Sequence, residues 1–409
     1  MNDVVVVGAG AAGLATAIFA RRLNPDRPVI LLDGAAKPGA KILVSGGSRC
    51  NVTNTVVTER DYWGGKRTII RRVLRALPVA ATVDFFRELG VTLKEEPNGK
   101  LFPTTDRSRD VLDALLRAAH ESGVVLSPST RVHEVTPAPH GFSINTSRGP
   151  RTASQVVLAT GGLSLPKTGS DGGGLTIARR LGHTIVPTTP ALAPLVVDGD
   201  WFHATISGVA HDAELTAWVD GRTAERIHGA LLWTHFGVSG PVALNVSRVL
   251  LRAQLEQRDV RITANLFPPA TFDVVDRRWM TAAASRPRVT VQNALAEEVP
   301  ASLAAALLDH ADIEGGTMLT ELSREARRQL AHTLTALPVP ATGSRGYNYA
   351  EATAGGVTLD EVDPATMESR KVPRLFLVGE MLDVDGRIGG FNFQWAWSSA
   401  RAAAEGLAS

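Results

Sequence analysis

The sequence predicts an α/β protein, with one parallel-sheet domain assembled from both ends of the chain and a separate domain inserted between them. Three observations carry this. A β-branched run enters a glycine-rich turn at Gly8, the next apolar run ends on the acid Asp33, and a core-type apolar segment returns only at Leu375.

With 409 residues the chain exceeds one typical core, so two or more domains, some from discontinuous segments, are expected. A formal net charge of +2 exerts no bulk pull on nucleic acid or membrane, so any basic partner surface has to be local. Cys50 is the single cysteine, which excludes an internal disulfide and a thiolate-only metal or iron–sulfur site. No metal is expected, and a reducing cytoplasm is the expected compartment. The start, Met1-Asn2-Asp3, lacks the basic region of a signal peptide, and no apolar run is long enough to cross a bilayer.

In chain order, Val4–Val7 reads as a strand, Gly8 to Gly13 as a turn, and Leu14 to Leu23 as an apolar helix broken by Asn24-Pro25-Asp26. Val29–Leu32 is a second buried strand, completing a βαβ unit. Residues 66–77 read as a helix closed by Pro78, with Ile69, Ile70, Val73, Leu74 and Leu77 on one face and Arg67, Arg71, Arg72 and Arg75 largely on the other. Asp110 to His120 is a further helix. Strands follow at 124–126, 132–135, 142–146 and 155–159. From about 190 to 340 the character changes, with polar strands and prolines first, then Ala/Leu-rich helices near 292–309 and 320–335. Leu375–Val378 returns as a core strand ending at Gly379-Glu380, and a last helix covers roughly 392–406. The expected domains are therefore 1–190, 191–345 and 346–409, the first and last forming one unit.

Each glycine of the first turn has a physical task. Gly8 permits the tight turn, Gly10 lets backbone approach a pyrophosphate, and Gly13 allows close helix–strand packing. Free N–H groups at the helix start then meet the phosphate charge. Asp33 suits the two hydroxyls of a ribose and repels a 2′-phosphate, so FAD or NAD fits better than NADP. The strand ends Ala159-Thr160-Gly161-Gly162 and Gly379-Glu380 bring small residues against an extended cofactor, which favours FAD. Glu380 is placed to bond a ribityl hydroxyl, and Asn392 to cap a last helix whose N-terminus would stabilise negative charge on a reduced flavin. Gly172-Gly173-Gly174 resembles a phosphate loop but lacks a Walker lysine and reads as a structural turn.

Four segments together resemble the BaiN/YhiN-type family of FAD-dependent flavoproteins: residues 41–51 (Lys-Ile-Leu-Val-Ser-Gly-Gly-Ser-Arg-Cys-Asn), 159–164 (Ala-Thr-Gly-Gly-Leu-Ser), 234–241 (Thr-His-Phe-Gly-Val-Ser-Gly-Pro) and 389–396 (Gly-Gly-Phe-Asn-Phe-Gln-Trp-Ala). The resemblance spans nearly the whole chain. It implies a Rossmann-like, discontinuous FAD-binding domain with β-barrel-like and helical subdomains inserted. Cofactor contacts are expected at Gly8, Gly10, Ala11, Ala12, Gly13 and Asp33, at Lys41, Ser45, Gly46, Gly47 and Asn51, at Val132, at Ala159, Thr160, Gly161 and Gly162, and at Gly379, Glu380, Gly390, Asn392, Phe393 and Gln394.

The resemblance also implies reduction of a carbon–carbon double bond conjugated to a carbonyl, either in a small-molecule enone such as a 3-oxo steroid or in uridine of ribosomal RNA, giving dihydrouridine. Both substrates need the same chemistry. Hydride adds at the far carbon, the oxygen gathers negative charge, and an acid protonates the near carbon. Cys50 is either that acid or a small buried packing residue, and His235 either shuttles a proton or holds a turn. Arg49 and Arg387 either contact an anionic group or form surface ion pairs. No second Gly-x-Gly-x-x-Gly unit occurs, which leaves NADH or NADPH as an external candidate electron donor. The arginines of 66–77 suit an RNA partner or an ordinary surface helix. A flavin electron-transfer or interaction protein without its own substrate is the third reading.

Overall fold

The strands Val4–Val7 (β1), Val29–Leu32 (β2), Val125–Ser127 (β3), Gln155–Leu158 (β4) and, after a further strand Ala352–Val357 (β5), Leu375–Leu377 (β6) carry the first core in this computed structural model, which describes residues 3–408. All neighbours in the sheet β6-β4-β1-β2-β3 run parallel, with Val4 opposite both Gln155 and Val29. Parallel neighbours need crossover connections and bury both faces, which is why these strands read as continuous apolar runs. The helix Ala11–Leu23 (α1) packs against the sheet and against the last helix, Phe391–Ala408 (α2). Two such partners explain why every residue from Ala12 to Ala20 is buried.

The chain divides into two compact units, Met1–Thr189 with Ala350–Ser409, and Pro190–Tyr349. In the first, Val132–Ala138, Gly141–Thr146 and Gly149–Ala153 form an antiparallel three-stranded sheet. The helix Arg67–Leu74 buries Ile70 and Val73 and turns its arginines outward. It ends at Leu74 rather than at 77, because Arg75 and Ala76 donate to the carbonyls of Arg72 and Val73, a tightened last turn.

The second unit is built on a seven-stranded antiparallel sheet. Leu337–Val339 pairs with the strand Val260–Asn265, and Ala341–Ser344, directly following, pairs with Leu195–Val197 at the other end of the strand order. One extended segment thus serves both edges and closes the sheet into a barrel-like form, changing partner at Pro340, which has no N–H to offer a ladder. The stretch near 292–309 is two helices, Val291–Ala296 and Ala301–His310, separated at Pro300. Two further helices, Gly240–Leu255 and Phe272–Ser285, occupy the part that reads as polar strands and prolines.

Candidate cofactor and active site

The glycines of the first turn differ in what surrounds them. Gly8 has φ of +101°, and a Cβ there would lie 2.5 Å from the Ala159 carbonyl oxygen. One on Gly13 would lie 1.8 Å from the Gly8 oxygen. One on Gly10 would meet nothing within 4 Å. Two glycines therefore serve close packing, and the third borders open space at the start of α1. No side chain caps that helix and no acid occupies its first turn, so the N–H groups of Ala11 and Ala12 are available to an anion. Asp33 links this turn to β2. Its Oδ2 accepts the Ala9 N–H and its Oδ1 the Ala35 N–H, each at 2.7 Å.

The segment Ala40–Ser48 starts as a helix and breaks at Ser45, Gly46 and Gly47, the two glycines having φ of +55° and +68°. Gly46 packs against Asn51 and the Phe102 ring, whereas Gly47 borders open space. Asn51 is buried with its Oδ1 unpartnered among the described residues. Cys50 is fully enclosed at 0% exposure. Burial pushes its thiol up to about 12, against a hydrogen bond with Ser45, so it is neutral and reaches no open surface. Arg49 is engaged elsewhere: it pairs with Glu96 at 2.8 Å and Asp106 at 3.6 Å, and lies over the Phe102 ring.

Lys41, at the head of this segment, forms an ion pair with Glu380 and donates to Ser164 Oγ. The other Glu380 oxygen accepts from Ser164 Oγ at 2.6 Å and Thr353 Oγ1 at 2.9 Å. Thr353 Oγ1 in turn accepts the N–H groups of Leu163 and Ser164. Four distant segments thereby meet at one polar cluster in the first unit. Thr353, and Glu351 beside it, escape a motif reading. Their local signal is only Gly355-Gly356 within a small-residue strand, where a Cβ on Gly355 would come close to the Pro187 carbonyl oxygen.

Other expected contacts have packing roles. Gly161 borders Ser170, and Gly162 borders Thr353. A Cβ on Gly174 would strike the Thr160 hydroxyl, so the Gly172–Gly174 turn is a packing turn. Ala159 and Val132 are buried, Gly379 lies against Ala12, and Gly390 lies against Thr53 backbone. Phe393 stacks on Trp397. One expectation requires correction. Asn392 does not cap the last helix: it lies inside α2, accepting the Gly386 N–H and donating to the Gly386 carbonyl. The Gln394 side chain is engaged within the protein, since Thr53 donates to its oxygen while its amide donates to Leu77 O and Ser398 Oγ. Arg387 pairs with Asp61 at 2.8 Å and covers the Phe391 ring. His235 belongs to the second unit, exposed on the turn after Arg222–Thr234 and edge-on to Phe236.

The HI0933-like protein Rossmann domain family matches residues 2–406. The chain belongs to this family. The 3-dehydro-bile acid delta(4,6)-reductase of Clostridium scindens is 32% identical to it over 409 residues, covering 99% of this chain and 100% of the relative. The ribosomal RNA dihydrouridine synthase of Escherichia coli is 33% identical, covering 99% and 98%. The 3-ketosteroid-delta4-(5alpha)-dehydrogenase of Rhodococcus jostii shares the fold at a TM-score of 0.50 and 16% identity, covering 100% of this chain and 96% of that one. As a member, the chain is an oxidoreductase with an FAD-binding Rossmann domain. Among the described residues no helix is long and apolar enough to cross a membrane.

Proposed function

We propose that this protein reduces a carbon–carbon double bond conjugated to a carbonyl in a small molecule such as a 3-oxo steroid. The end-to-end similarity to the Clostridium scindens reductase supports this most, since it leaves no part of that relative uncovered. The first unit suits the cofactor: open space at Gly10 and Gly47, an uncapped helix start for a pyrophosphate, Asp33 for a ribose, and the unpartnered Asn51 oxygen. Lys41 and Glu380 would face the ribityl chain. Bound and reduced, FAD supplies a hydride from N5. The protein's part is to hold the planar substrate, to place N–H donors near the oxygen where charge gathers, and to deliver a proton. NADH or NADPH from solution is the proposed source of electrons. The test is to reduce the FAD-loaded protein anaerobically and add a 3-oxo-4,6-diene steroid. Return of the oxidised flavin spectrum with loss of one of the substrate's two carbon–carbon double bonds is expected, and an unchanged reduced spectrum would sink the proposal.

A second reading, reduction of uridine in ribosomal RNA, draws on one specific observation. Arg67, Arg72 and Arg75 are exposed and have no acidic partner among the described residues, whereas Arg71 pairs with Glu59. Unpaired guanidiniums on one helix and its C-cap suit phosphates, and binding to ribosomal RNA fragments would then weaken steeply with salt. Replacing these three by glutamine should flatten that slope. Binding that ignores salt removes the reading.

A further inference from the structure

Glu351 takes no part in the glycine turn or in the contacts expected for the cofactor. It immediately precedes β5, and its neighbours Ala350, Ala352 and Thr353 are each 0% exposed, while its own side chain is exposed. Ser164 Oγ lies 3.4 Å from its carbonyl oxygen, which sets this backbone beside the polar cluster, and Lys41 and Lys100 act on its carboxyl electrostatically. An accessible carboxyl within electrostatic reach of two lysines, on backbone beside the Lys41–Glu380 cluster, is suited to deliver a proton. Protein surrounds the group closely enough that desolvation holds it above the usual carboxylate range, against the pull of both lysines. Accessibility also separates it from Cys50, whose sulfur has no open surface.

We propose that Glu351 is the acid that protonates the carbon next to the carbonyl when the conjugated bond is reduced. The inference rests on the enone reading given above. In the step, the hydride carried by reduced FAD forms a C–H bond at the far carbon, the double bond's electron pair moves toward the carbonyl, and the Glu351 proton forms the second C–H bond. Substrate gains two electrons and two hydrogens, the flavin is oxidised, and Glu351 is left as a carboxylate. Lys41 and Lys100 then stabilise that anion until solvent, which reaches the side chain, returns a proton.

Glu351→Gln and Glu351→Asp in the FAD-loaded protein provide the test. The glutamine variant should keep its FAD and be reduced by dithionite as the wild type is. Its reoxidation by a 3-oxo-4,6-diene steroid should slow by about 100-fold or more. In the wild type that rate should fall at high pH as Glu351 ionises, with Lys41, Lys100 and Glu380 as the charged groups around it. The glutamine variant should lose this limb, and aspartate should restore part of the rate. Independently of turnover, infrared spectra at neutral pH should show a protonated-carboxyl band in the wild type that the glutamine variant lacks. A reactive wild type with an equally reactive glutamine variant, or no such difference band, overturns the assignment. An unreactive wild type overturns instead the enone reading beneath it.

Discussion

Lys41 and Glu380 lie 339 residues apart in the chain, yet their side chains meet in an ion pair that also holds Ser164 Oγ. The pair is 26% and 17% exposed, so neither charge is well hydrated. Its environment therefore makes the two residues depend on each other.

Removing one partner alone leaves the other charge partly buried. Lys41→Met or Glu380→Gln is expected to lower stability by about 2–4 kcal/mol, and the double variant by less than the sum. Urea unfolding of the four proteins measures the coupling. Additive losses would show that the pair is not energetically linked.

The glycine turn predicts two different outcomes from one kind of substitution. Gly8→Ala and Gly13→Ala place a methyl against backbone and should destabilise the FAD-free protein by several kcal/mol, on the order of the large strain and overpacking effects. Gly10→Ala should leave it within about 0.5 kcal/mol, since nothing lies within 4 Å, and should weaken FAD binding instead. Thermal unfolding without FAD, set beside FAD titration, separates packing from cofactor approach.

Acid sensitivity should centre on His183. This buried imidazole contacts Glu361 through Nδ1 and Ser369 through Nε2, each at 2.9 Å. Burial lowers the His183 pKa, opposed by Glu361. Burial alone would raise the Glu361 carboxyl, but Lys371, Thr184 and His183 bring it down from 4.5 to about 2. A carboxylate depressed in the folded state stabilises above its unfolded pKa. That contribution, on the order of 3 kcal/mol, is lost as pH falls from about 4.5 to about 2. The neutral His183 adds a loss of the same sign below its unfolded value of 6.5. Glu361→Gln should flatten stability against pH across the lower window, as followed by denaturant midpoints.

Cys50→Ala is expected to cost about 1 kcal/mol of stability and to leave FAD content intact. Reoxidation of the reduced protein by the dienone should continue near the wild-type rate. A 100-fold loss, the size of a missing general acid, would instead make the thiol the proton source.

Legibility in the sequence followed the range of the interaction concerned. Val4–Val7, the glycine turn and Val29–Leu32 are read correctly because strand, turn and helix signals are local, and Leu375–Leu377 because a both-faces-buried strand has to be apolar throughout. The helices Gly240–Leu255 and Phe272–Ser285 are not read. The first opens at Gly240-Pro241, punctuation that also suits a loop, and the second follows the Pro268-Pro269 pair. Gln394 stands within a recognisable motif, but a motif does not tell which side of its helix faces Thr53 and Leu77.

The sequence by itself determined a parallel α/β sheet, a dinucleotide turn at Gly8–Gly13 and an acid at Asp33, because each depends on residues a few positions apart. Only the tertiary structure decided that Lys41, Ser164, Thr353 and Glu380 share one cluster, that Glu351 stands beside it, and that Cys50 is closed off. Those facts depend on strand order and on which segments pack together. Contacts between residues hundreds of positions apart leave no periodicity in the chain.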